Sequence, residues 1–158
     1  MIIEDIVDEL LGLELSFIKR DDPETVYGKD WVESIYEFIE SLCHDDVIEK
    51  YYVTSGVWLT GEPGYNYERT GVVYIVTSYW LTIVTIAPQP LFATKCPLDE
   101  INNFSTLREL HGDGRKSFQY YFQMGSETVN FRHEQAVDKL VDFFTYLGAK
   151  IKKVKHND

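Results

Sequence analysis

The sequence predicts an α+β fold, with an acidic helical hairpin first, six or seven antiparallel strands next and one closing helix last. Three observations carry this reading. Apolar residues recur at helical spacing through the first 44 or so positions, the texture then turns to alternating β-branched and aromatic residues, and helical spacing returns after residue 134. At 158 residues, with 44% hydrophobic and 26% charged side chains, the chain is long enough to bury a core and is read as one domain over 1–158.

The first helix is expected from Ile3, Ile6, Val7, Leu10, Leu13 and Phe17 on one stripe, with Glu4, Asp5, Asp8 and Glu9 opposite. Lys19 and Arg20 fall where a helix C-terminus favours positive charge, and Asp21-Asp22-Pro23 then breaks the pattern. A second stripe runs through Trp31, Val32, Ile35, Phe38, Ile39 and Leu42, with Glu33, Glu37 and Glu40 on its far side. Asp45 and Asp46 are expected just beyond the helix, because the dipole disfavours acids at that end.

Strands are expected around 51–59, 71–78, 80–87, 91–95, 104–110, 117–124 and 128–132. The connectors hold turn chemistry, and Asp113-Gly114 and Gly125-Ser126 are antiparallel hairpin signals. Phe118, Tyr120 and Phe122 alternate with Gln119, Tyr121 and Gln123, as a strand with one buried face requires. The closing helix is expected from about Glu134, with Ala136, Leu140, Phe143, Phe144 and Leu147 inward and Gly148 as its stop. This divides the domain into a helical extension (1–47), a β-rich body (48–148) and a basic tail (149–158).

The run Gly71–Val84 resembles the hairpin of bacterial pleckstrin-homology-like and GRAM-type domains, in which an apolar strand ends in a Thr-led turn and a bulky pair opens the next. Pro97-Leu98-Asp99-Glu100-Ile101 is similar to the short element that follows in those families. Over roughly 50–148 the resemblance implies a PH-like antiparallel barrel closed by the C-terminal helix. It also implies a phosphate-binding cluster of bases in the first strands and their loop. Here 51–70 offers only Arg69, and Ser78 and Tyr79 occupy a turn that often carries Lys or Arg. Headgroup recognition is therefore the weaker reading of that fold.

Charge is divided unevenly. Residues 1–50 hold 15 acids and 4 bases, whereas 51–158 hold 11 of each, so the whole net charge of −11 lies in the first third. Such a face is repelled by nucleic acid and by anionic membranes, and attracts a basic protein. The opening MIIEDIVDEL carries acids where a secretory signal carries bases, and Cys43 and Cys96 have no CxxC spacing. A cytoplasmic location with reduced thiols is expected.

The search for chemistry gives no catalytic, cofactor or metal set. His44, His111, His133 and His156 make no HxxxH or HExxH pattern, and Cys43 falls on an apolar stripe. Gly112-Asp113-Gly114-Arg115-Lys116 lacks phosphate-loop spacing and leads into a strand. Lys150, Lys152, Lys153 and Lys155 make a small basic patch at the end. The expectation is a non-enzymatic protein-binding module, with Glu33, Glu37 and Glu40 and the loop aromatics Tyr65 and Tyr67 as its contacts. Two further readings stay open: an acidic inhibitor, of the immunity or anti-defence kind, blocking a nucleic-acid-binding enzyme, and phosphate or lipid-headgroup recognition by the barrel.

Overall fold

The computed structural model describes residues 2–13, 29–44, 46–59, 67–86, 91–133 and 138–156. The side chains at 29–31, 56–59, 67–69 and 131–133 lie outside that description. The described residues form helices α1 (Ile2–Gly12), α2 (Lys29–Cys43) and α3 (Asp138–His156). The strands are β1 (Lys50–Leu59), β2 (Tyr67–Val76), β3 (Trp80–Ile86), β4 (Leu91–Pro97), β5 (Ile101–Leu110), β6 (Lys116–Met124) and β7 (Glu127–His133). Strands β1-β2-β3-β4 make one antiparallel sheet and β5-β6-β7 another, each in sequence order. The α+β class and the closing helix are as the sequence predicts. The described strands form these two sheets and no closed barrel. No helix among the described residues is long and apolar enough to cross a membrane.

The chain forms two compact units, Met1–Ser78 with Thr82–Lys95, and Tyr79–Leu81 with Cys96–Asp158. In the first, Ile6, Val7 and Leu10 of α1 and Ile35, Ile39 and Cys43 of α2 are buried with Val73, Ile75, Val84 and Ile86 of the sheet. β1 and β2 pair without interruption from Lys50↔Val76 to Leu59↔Tyr67, and Tyr52 faces Tyr74 across the ladder with ring centroids 6.5 Å apart. α1 ends sooner than its apolar pattern suggested. The Leu13 amide already bonds back to the Leu10 carbonyl at 3.1 Å, a short tightening turn after Gly12. Phe17, Lys19 and Arg20 lie outside the described residues.

The second unit is built on the alternation of β6. Phe118, Tyr120 and Phe122 are buried, as are Leu140, Phe143, Phe144 and Leu147 of α3, and the Tyr120 and Phe144 rings stack at 3.4 Å between centroids. Both hairpin signals are realised. His111 and Arg115 close one turn through a 2.8 Å bond with Gly114 at φ 86°, and Gly125 at φ 59° opens the two-residue link from β6 to β7. A positive φ at the first turn position is where glycine is unstrained. Leu98–Glu100 form a 3-10 turn, and the Leu98 amide donates to the Tyr79 carbonyl at 2.8 Å.

Gly148 does not stop the last helix. α3 continues through it to His156, so the lysines expected in a tail form its final turns. The reason for the glycine lies across the unit. The pairing register of β5 shifts between Asn102 and Ser105, and Asn103 takes the left-handed conformation at φ 56°. A bulge of this kind re-aims the next side chain. Phe104 stacks on Phe122 at 5.7 Å, and its ring edge would stand 2.8 Å from a Cβ at position 148. Glycine is thus required by close approach and not by helix termination. Lys155 Nζ then donates to Asn102 Oδ1 at 2.9 Å, tying the helix end to the bulge.

This arrangement makes the effect of Gly148→Ala depend on its neighbour. Alone it should destabilise by about 1 kcal/mol, because overpacking against the ring exceeds the ~1 kcal/mol that alanine gains in a helix. In a Phe104→Ala background the same change should stabilise. A urea-denaturation double-mutant cycle reads the sign, and one sign in both backgrounds would refute the packing account.

Candidate functional site

α2 has one rotational setting, fixed by burial of Ile35, Ile39 and Cys43 at four-residue spacing. The opposite side therefore faces water, and Glu33, Glu37 and Glu40 are all exposed on it. The structure brings these three together on one face. Ser41 extends the face, its hydroxyl donating to the Phe38 carbonyl at 2.7 Å. Glu37, Glu40, Ser41 and His44 line a shallow groove of about 400 Å3 at its C-terminal end. Tyr65 lies outside the described residues, and Tyr67 opens β2 with its side chain outside them too. The aromatic-loop half of the expected site therefore has no described geometry.

No base lies in the last turn of α2 itself. The sheet supplies one: Lys95 of β4 donates to the Leu42 carbonyl at 3.2 Å and lies 3.9 Å from Asp46. A lysine against the last carbonyls satisfies an orphan acceptor and offsets the negative end of the helix dipole. Asp46 lies beyond the helix end as expected, and its amide bonds back to the Cys43 carbonyl at 2.7 Å. Sequence reasoning missed Lys95, because nothing local to residue 95 indicates a partner more than fifty positions away.

The acidic field is felt by neighbouring phenols. Partial burial, with Glu40 and Glu4 nearby, holds the Tyr36 phenol above its ordinary value. Tyr51 of β1 donates to Glu9 Oε1 at 3.2 Å, and its phenol is raised above 10.0 by desolvation, by the Glu9 charge and hydrogen bond, and by Asp5. The two thiols are also raised. Cys43 is pushed up by burial, with Lys95 acting against this and Asp46 adding to it, and Cys96 by burial with Glu100 and Asp99. Both are buried, so neither has the lowered pKa and access of a reactive cysteine.

In the other unit His111 Nε2 and Ser117 Oγ stand 3.0 Å apart, a nucleophile–base distance. Ser117 is only 3% exposed, however, and the contact spans the β5–β6 hairpin that His111 also closes through its backbone. It is a hairpin tie. Among the described residues no group of three His, Cys, Asp or Glu side chains could hold a metal ion.

Two outcomes follow from the electrostatics. Glu37 has like-charged neighbours at four residues before and three after, each pair costing roughly 0.2–0.5 kcal/mol. Glu37→Gln should therefore raise stability by up to about 1 kcal/mol at low salt, and the gain should shrink as added salt shortens the screening length. Tyr51 contributes stability that is fully present below pH 10.0 and lost as pH rises through its raised folded value. Tyr51→Phe should flatten the fall in urea stability above that pH, and an unchanged slope would separate the phenol from the alkaline transition. No family model matches the sequence, and no curated protein or solved structure matches it either.

Proposed function

We propose that this protein is a non-catalytic interaction module that binds a basic protein partner through the exposed face of α2. One observation carries the reading: Glu33, Glu37 and Glu40 stand together on the outer face of a helix whose inner face is buried. Three acids at that spacing repel one another, so the arrangement is a cost that a cationic partner would relieve. The groove between Glu37, Glu40 and His44 suits a lysine or arginine side chain. The excess negative charge of the first 50 residues supports fast, salt-sensitive association.

For the β-rich part we propose a pleckstrin-homology-like architecture used as a scaffold. Seven successive antiparallel strands followed by an amphipathic helix is the order that the resemblance implies. Arg69 is the lone base of the stretch where a headgroup site would lie, so we place recognition on α2. We place the protein in the cytoplasm, with both buried thiols reduced.

The test is capture from native lysate with wild type and with Glu33→Lys/Glu37→Lys/Glu40→Lys, both first shown folded by circular dichroism. A partner held by wild type and lost from the reversed form supports the reading. If that partner is a nucleic-acid-binding enzyme whose activity falls on binding, the module is an inhibitor presenting carboxylates in place of phosphates. Equal capture by both forms moves recognition off α2.

A further inference from the structure

In the three-stranded sheet β5 is an edge strand, and half of it is bare. Every residue from Ser105 to Leu110 is exposed, with Leu107 at 50% and Leu110 at 74%. This stretch lies past the register shift and pairs regularly with β6, from Ser105↔Tyr121 to Leu110↔Lys116. Its outer side therefore presents a straight row of backbone donors and acceptors with no strand beside it among the described residues. Natural edges are usually blunted by a bulge, a proline or an outstanding charge. Here the bulge sits at the other end of the strand and no proline intervenes; the charges are exposed Glu109 and Arg108, whose guanidinium is folded back over the Phe118 ring at 5.7 Å.

Beside this bare edge runs a groove of about 440 Å3 between the hairpin and the start of α3. Arg108, Glu109, Leu110 and Lys116 stand on its strand side, and Asp138, Val141 and Asp142 on its helix side. Asp138 and Asp142 are one helical turn apart and both exposed, so the helix wall is acidic and self-repelling.

We propose that the β5 edge and this groove take up an extended segment of a partner protein as an added strand. Backbone hydrogen bonds to 105–110 would supply the affinity, and alternate side chains would supply the choice of sequence. Apolar residues pack on Leu110 and Val141, and a lysine or arginine enters between Asp138 and Asp142. The charge favours this occupant over a second copy. A two-fold antiparallel pair of β5 strands centred on Arg108 or on Glu109 sets like charges directly opposite. The surface belongs to the compact unit that does not contain α2, and its test does not rest on the reading of the acidic face.

The experiment uses the full chain and a fluorescent peptide of alternating valine and lysine, read by polarisation and by amide hydrogen exchange. Bound peptide should protect amides within 105–110. N-methylation of alternate peptide nitrogens, which removes backbone donors and keeps the side chains, should weaken binding by about tenfold or more. Asp138→Lys/Asp142→Lys, exposed positions that leave the core intact, should weaken it to a similar degree. Glu33→Lys/Glu37→Lys/Glu40→Lys should leave it unchanged. Absence of binding, equal binding of the N-methylated peptide, or protection confined to other strands would overturn the proposal. So would β5 protection that rises with protein concentration in the absence of peptide, which would assign the edge to a second copy.

Discussion

The placement of the acidic face depends on the burial of the α2 stripe against the four-stranded sheet. Ile35, Ile39 and Cys43 lie under one line of the helix, and turning α2 by a single residue, about 100°, would bring one of them into water. Burying such a side chain is worth roughly 1.5–3 kcal/mol, whereas the repulsion among the outward acids is a few tenths per pair. The core term wins by an order of magnitude, so the glutamates are held where packing puts them. Lys95 acts on the same helix from the sheet, fixing its C-terminal end and opposing the negative dipole there.

A comparable constraint governs the other unit. The bulge at Asn103 aims Phe104 at the backbone of α3, and only a glycine at 148 lets the ring approach. Phe104, Phe122, Tyr120 and Phe144 then form a run of stacked rings that holds the helix on β6. The helix packs over that row of aromatics, and the end of β5 nearest the hairpin stays uncovered. The exposure of Leu107 and Leu110 follows from where the helix is anchored.

Local pattern made much of this legible. The period of the apolar residues located α2 and the core-facing side of α3, and the alternation in β6 named the buried face residue by residue. The glycine turns set the two hairpins. What failed were inferences that needed a distant partner. Gly148 read as a stop because a helical glycine is usually one, and the ring that explains it is supplied by a residue 44 positions earlier. The lysines after it read as a tail for the same reason. The division of the strands into sheets of four and three was not legible either, because it depends on which edges pair, and a linear pattern does not encode that. The acidic face was legible because solvent exposure on a helix follows directly from the buried stripe. The bare β5 edge was not, since edge position is a property of the whole sheet. A strand reading Ser-Thr-Leu-Arg-Glu-Leu gives no sign of which neighbour it lacks.

The exposed edge carries its own term of choice. An exposed strand edge with two leucines is a template for pairing with any similar strand, and a protein that carries one needs some opposing term. At 105–110 the exposed acid Glu109 belongs to the strand itself, while the Arg108 guanidinium lies over the Phe118 ring. Like charges directly opposite across a ladder destabilise it and opposite charges stabilise it. Glu109 therefore opposes a strand that brings an acid to its register and favours one that brings a base.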